Sequence, residues 1–232
     1  MKAMILAAGL GERLRPFTEK TPKSLIKING QYLIEYSLHA LAKANFTDVV
    51  INLFHLGHQI KMALGHGERY GLKIHYSEEN SLLGTGGGII NALPWLGNDP
   101  FLVLSADVIT NYPLENLPKK LSTLAHLVLV DNPDYHPLGD FYLENKLIAQ
   151  TGHQKLTFSS IGIYHPLLFK QWKVPEALTT ILLPAIKNRQ ISGEYFNGQW
   201  ANIGTQKEIE LFLKKSNYSP RNQKHGERSD FG

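Results

Sequence analysis

The sequence predicts an α/β protein: a doubly wound mixed sheet with helices on both faces, built as a single domain. Three observations carry this reading. Short runs such as Ala3 to Ala8, Asp48 to Leu53 and Phe101 to Ser105 are apolar at nearly every position, as strands buried on both faces of a sheet are. Stretches between them repeat their apolar residues at helical spacing. Strand and helix then alternate as far as about residue 130, which is the rhythm of crossover connections.

The elements follow in order. A strand over residues 2–8 leads into a long loop, and Ser24 to Ile28 reads as an extended piece turned by Asn29 and Gly30. Leu33 to Ala44 sets Leu33, Ile34, Ser37, Leu38 and Leu41 on one helical face. Asp48 to Leu53 is a strand, His55 to Leu64 a helix and Gly71 to Tyr76 a strand. Thr85 to Leu93 is a helix that Pro94 should end, because proline lacks the amide donor a helix interior needs. After the strand Phe101 to Ser105, Leu114 to Leu121 reads as a helix and His126 to Val130 as a strand. Beyond residue 131 the rhythm changes: strands at Asp140 to Leu143, Leu147 to Ala149 and Leu156 to Tyr164 come without long helices between them. Helical pieces at Pro166 to Lys170 and Ala177 to Asn188, a strand at Trp200 to Ile203 and a helix at Thr205 to Lys214 close the chain. This gives a domain over 1–213, divided at about residue 130 into halves 1–130 and 131–213, and a polar, mobile tail over 214–232.

Composition narrows the classes. The 232 residues carry a formal charge of +4, but residues 214–232 alone hold +3 of it. The rest is near neutral, which argues against a nucleic-acid face. There is no cysteine, so disulfides and thiolate metal sites are excluded. No apolar run is long enough to span a bilayer. The start of the chain has a short apolar stretch that runs into Glu12, Arg13 and Arg15 with no export cleavage pattern, and the expectation is a cytoplasmic protein with no membrane partner. His55 and His58 have no evident third partner for a metal and are read as surface or helix-cap residues.

The loop after the first strand holds the chemistry. Gly9 and Gly11 let the backbone approach a ligand, and Arg13, Arg15, Lys20 and Lys23 follow within a few residues, a combination suited to a polyphosphate. It is not a dinucleotide fingerprint, because Leu14 stands where the third glycine belongs and Pro16 blocks the following helix. Nor does it contain the spacing of a P-loop.

The spacing Leu6, Gly9, Gly11, Arg13, Leu14, Pro16, Thr18, Pro22, Lys23 resembles the signature of the sugar-1-phosphate nucleotidyltransferases, whose fold is Rossmann-like of the GT-A kind. The resemblance implies that Leu6, Ala8, Gly9, Gly11 and Glu12 wrap the triphosphate while Arg13 and Lys23 neutralise its charge, Arg13 and Lys23 being the catalytic pair. It also implies a base read by the backbone of Gly84 to Gly88, with Gly86 and Gly87 closest. Asp107, at the end of a central strand, then joins the nucleotide site and holds Mg²⁺. The family usually has Gly-Asp there, where this chain has Ala106 and Asp107. In Trp200 to Thr205 the family's second metal-binding Asp is Asn202, whose amide oxygen still suits Mg²⁺ but brings no charge.

In detail the chain is most similar to the branch of uridylyltransferases that acts on N-acetylmuramate 1-phosphate in peptidoglycan recycling of the cell wall. The matching stretches are Ala125 to Pro133, Gly139 to Phe141, Leu156 to Ser159, Ile161 to Pro166 and Ser192 to Trp200. Asp140 and Asn202 become the implied sugar contacts. The implied reaction joins UTP and the sugar 1-phosphate, releasing pyrophosphate. Guanylyl, uridylyl or thymidylyl transfer to mannose or glucose 1-phosphate is the nearest alternative, and a non-catalytic nucleotide-sugar-binding relative is the alternative of another class.

Overall fold

The computed structural model describes residues 1–215; the expected tail lies almost wholly outside them. The elements run β1 (Ala3–Leu6), β2 (Lys27–Ile28), β3 (Gln31–Tyr32), α1 (Leu33–Lys43), β4 (Asp48–Leu53), α2 (Gly57–Leu64), β5 (Lys73–Glu78), α3 (Gly84–Leu96), β6 (Phe101–Ser105) and β7 (Val108–Thr110). Then come β8 (Ala125–Val130), β9 (Phe141–Glu144), β10 (Leu147–Ala149), β11 (Lys155–Tyr164), α4 (Leu178–Lys187), β12 (Ile191–Tyr195), β13 (Trp200–Asn202) and α5 (Gln206–Lys215).

One 9-stranded sheet organises the described chain, in the order β5-β4-β1-β6-β11-β8-β12-β10-β9. β5, β4, β1 and β6 are parallel, and β11 joins β6 antiparallel. The far strand β9 returns to pair with Lys155 and Leu156 at the start of β11, so the later strands close a ring. Successive side chains of a strand point to opposite faces, and β1 shows this. Ala3 and Ile5 pack with Ile34, Leu38 and Leu41 of α1 and Ile60 and Leu64 of α2. Met4 packs on the other face with Ile89 and Ala92 of α3 and Ile181 and Leu182 of α4. Helices on both faces of a mixed sheet in one domain is the fold class expected from the alternation. No described helix is long and apolar enough to cross a membrane.

Several local expectations are corrected. α3 does not stop at Pro94 but runs to Leu96. Leu96 is 3% exposed in the core, and its burial outweighs one lost backbone bond. Gly97, at a positive φ of 88°, ends the helix by donating to Leu93 O at 3.0 Å. Leu114 to Leu121 forms only a 3-10 turn over Leu114–Asn116, since Pro118 removes a donor the helix would need. β12 was not expected as a strand. Its Gly193 hides the pattern, and the glycine is there because a Cβ would lie 2.4 Å from Ile148 Cδ1 of β10.

Candidate active site

Parallel strands bring their carboxyl ends to one sheet edge, where ligands of open α/β folds bind. A cavity of about 680 Å³ opens there. Leu6, Ala8, Gly9, Gly11, Glu12, Arg13, Lys23 and Asp107 all line it. Residues far apart in sequence are thus gathered by the junctions of β1 and β6 with their following loops.

The signature loop is folded into 3-10 turns over Glu12–Leu14, Phe17–Glu19 and Lys23–Leu25. Gly11 is left-handed at φ 66°, and a Cβ on it would lie 2.7 Å from Thr18 Cγ2 and 3.2 Å from Lys23 Cβ. Only glycine meets both conditions. The Thr18 hydroxyl donates to Gly11 O at 2.9 Å, so the loop closes on itself around that glycine.

Lys23 and Asp107 form a close ion pair with side chains 15% and 20% exposed, and the Ser105 hydroxyl donates to the other Asp107 oxygen. Asp107 O also accepts from Ile203 N at 2.8 Å, and Asn202 pairs with Val108 across β13 and β7. Asn202 is therefore one rung from Asp107, although it does not line the cavity. Gly204 does line it, because the Arg13 guanidinium lies against it: a Cβ there would be 2.4 Å from Arg13 Nη2. Glu208 accepts from Gly204 N at 2.6 Å. Tyr135 reaches the same place; its partial burial, reinforced by the charges of Glu208 and Asp107, pushes its hydroxyl up to about 12.

Three of the implied ligand residues, Gly86, Gly87 and Asp140, have packing partners outside the cavity wall. Gly86 and Gly87 do not line the cavity; Gly84 and Thr85 do. Gly87 N instead donates to Glu176 O at 2.9 Å, and a Cβ on Gly86 would lie 2.7 Å from Ile181 Cδ1. These glycines let α3 pack on the lead into α4. Asp140 also stays out of the cavity. Its oxygens accept from Phe158 N at 2.8 Å and contact His136 Nε2 at 3.1 Å, so it braces β11.

Among the cavity residues that sequence reasoning missed, two carry chemistry of their own. Glu79 is 7% exposed and accepts from Asn52 Nδ2 at 2.7 Å and Leu83 N at 3.3 Å. Burial pushes its carboxyl above the ordinary value, against those hydrogen bonds. A Cβ on Gly88 would sit 2.8 Å from Glu79 Oε1. The available signal was an acid directly after a strand and ahead of the glycine cluster. Ser160 lines the cavity at φ 63°, where the β11–β8 register shifts between Phe158 and Gly162. A non-glycine residue in that conformation is strained, and such strain gathers at functional sites; nothing in the sequence marks it.

The donor chemistry bears on a metal. Asp107 and Asn202 offer hard oxygens, and no group of three or more His, Cys, Asp or Glu able to hold a metal occurs among the described residues. A cation with few protein ligands that completes its shell with phosphate and water fits this set, as Mg²⁺ does.

Comparison with known proteins agrees with the architecture. The nucleotidyl transferase family model matches residues 2–139. An N-acetylmuramate alpha-1-phosphate uridylyltransferase of Neisseria meningitidis is 43% identical over 218 residues, covering 88% of this chain and 94% of that protein. A mannose-1-phosphate guanyltransferase of Aspergillus oryzae is 31% identical over 90% of this chain, which spans 62% of that longer protein. A Bacillus anthracis structure described as a glucose-1-phosphate thymidylyltransferase superposes with a TM-score of 0.82 at 21% identity, over 94% of this chain and 97% of its own. The loop from Gly9 to Lys23, its cavity and these matches make the chain a member of the nucleotidyl transferase family.

Proposed function

We propose that this enzyme transfers a uridylyl group from UTP to N-acetylmuramate 1-phosphate, releasing pyrophosphate. The observation that carries the reaction class is the meeting of Arg13, Lys23 and Asp107 in one cavity with the glycine turn. The identity of the sugar and nucleotide rests on the 43% identical Neisseria relative, matched over nearly its whole length.

A phosphate oxygen of the sugar 1-phosphate attacks the α-phosphorus, the bond to the β-phosphate oxygen breaks, and pyrophosphate leaves. The nucleophile is already ionised at neutral pH, so no general base is needed. The obstacle is one anion approaching another, and catalysis reduces to positioning and charge. Arg13 and Lys23 supply fixed positive charge where the triphosphate lies. Lys23 is held by Asp107 until phosphate competes for it. Asp107 and Asn202 would hold Mg²⁺, whose chemistry is to neutralise charge on the phosphate oxygens.

The reading is tested by pyrophosphate release with each triphosphate against N-acetylmuramate, N-acetylglucosamine, glucose and mannose 1-phosphates. Selective turnover of UTP with the muramate sugar is expected; turnover of another pair keeps the mechanism and overturns the substrate. One observation favours GTP as the second reading. Glu79 is a buried acceptor in the cavity, and guanine offers adjacent N–H donors to a carboxylate, whereas uracil offers one N–H between two carbonyls. For the metal, Asn202→Asp should lower the Mg²⁺ concentration giving half-maximal rate. An unchanged Mg²⁺ titration would remove Asn202 from the ligand set.

A further inference from the structure

The loop that carries Arg13 and Lys23 contains no element longer than a three-residue 3-10 turn, so something outside it must hold its shape. The segment from the end of β4 to the first turn of α2 contacts it at three points. Asn52 Oδ1 accepts from Ala7 N at 2.8 Å. His55 Nε2 is 2.9 Å from Thr18 O. Gln59 Nε2 donates to Lys20 O at 3.0 Å. Between the last two donors Leu56 is left-handed at φ 53°, a strained conformation for a branched side chain.

Thr18 links this brace to the site. It is 1% exposed, its carbonyl faces His55, and its hydroxyl donates to Gly11 O. Its methyl group and the Lys23 Cβ flank the space a Gly11 side chain would need. Displacing Thr18 therefore disturbs both Gly11, two residues before Arg13, and Lys23. Neither His55 nor Gln59 lines the cavity.

We infer that His55 and Gln59 are positioning residues: they clamp the turn at 16–21 from behind and thereby hold the phosphate-facing loop in its binding shape. The catalytic part of this inference rests on the proposed reaction; the clamp itself does not. Amide exchange across residues 16–21 tests the clamp without activity, because Glu19, Lys20 and Thr21 amides are hydrogen-bonded inside the turn. In His55→Leu combined with Gln59→Leu, exchange there should rise about 10-fold, the loss of one or two hydrogen bonds. The thermal midpoint should fall by only a few degrees, kcat/KM for the triphosphate should fall by a similar factor to the exchange change, and the KM for sugar phosphate should stay. His55→Gln, whose amide nitrogen can replace Nε2, should restore most of both.

Unchanged exchange in the double variant overturns the clamp. So does a His55→Gln protein as impaired as His55→Leu, which would assign the effect to ring packing. Faster exchange with unaltered triphosphate kinetics in an active enzyme overturns the positioning role. If the unaltered protein turns over no substrate pair, the exchange result still decides the clamp, and the proposed reaction falls separately.

Discussion

Lys23 and Asp107 neutralise each other at the cavity wall, each less than one quarter exposed in its side chain. An ion pair this sheltered loses more when one partner is deleted than a surface pair does. Lys23→Met should lower the rate on the order of 10²–10³-fold, the usual cost of removing one preorganised charge donor, while the protein stays folded. Single-turnover kinetics alongside a circular dichroism melt would check both halves. Gly204 makes a second residue-scale point. Its missing Cβ leaves room for the Arg13 guanidinium, so Gly204→Ala must push that guanidinium aside. Because a misplacement near 1 Å can cost roughly 10²-fold in rate, Gly204→Ala should mimic loss of Arg13. An unimpaired Gly204→Ala enzyme would show that Arg13 does its work from elsewhere.

At the scale of elements, the glycine cluster opening α3 is a packing device. Glu176 N and O bond Leu83 O and Gly87 N at 2.9 Å each, and Leu178 N donates to Thr85 Oγ1 at 3.1 Å. The turn before α3 and the lead into α4 are thereby joined, which sets the cavity wall formed by Gly84, Thr85 and Leu178. A methyl group at 86 meets Ile181 Cδ1 at 2.7 Å and the Glu176 carbonyl at 3.0 Å. Overpacking of this kind costs about 1–3 kcal/mol. Gly86→Ala should lower the denaturation midpoint accordingly and raise the KM for nucleotide, because the wall moves with the helix. A melt identical to that of the unaltered protein would mean the two elements separate freely.

Across the whole molecule, the parallel strands supply the site, and β11 of the later ring adds Phe158, Ser160 and Tyr164 to its wall. The two regions meet at a polar cluster beside the core. Glu194 of β12 accepts from the Tyr112 hydroxyl and lies 3.7 Å from His126 Nε2 of β8. His126 Nδ1 is 2.9 Å from Ser192 Oγ. The nearby His126 ring holds the Glu194 carboxyl below its usual value, opposed by burial and aided by the Tyr112 hydroxyl. A carboxyl lowered in the folded state adds stability above its unfolded value of about 4.3. That contribution disappears as pH falls through the lower folded value. Glu194→Gln should therefore melt below the unaltered protein at neutral pH, with the two curves converging in acid. Parallel melting curves over the whole pH range would remove Glu194 from this linkage.

The fold class, most elements and the shape of the glycine loop were legible in the residues alone, because these depend on local periodicity and on glycine, proline and cations at short spacing. Leu6 to Lys23 could be read as one shaped loop since Gly11, Pro16 and Pro22 act on neighbouring φ angles. Asp107 was legible as an acid closing an apolar strand. Which glycines face the cavity emerged only from the packed fold. Gly84 and Gly86 look alike in sequence, and the separation comes from what packs on them: Gly84 stays at the cavity wall, while Gly86 is covered by Ile181. The packed fold likewise showed Asp140 accepting from Phe158 N, and gave Glu79 and Ser160 their places at the cavity. Those assignments depend on contacts between residues tens of positions apart, which periodicity and spacing do not encode.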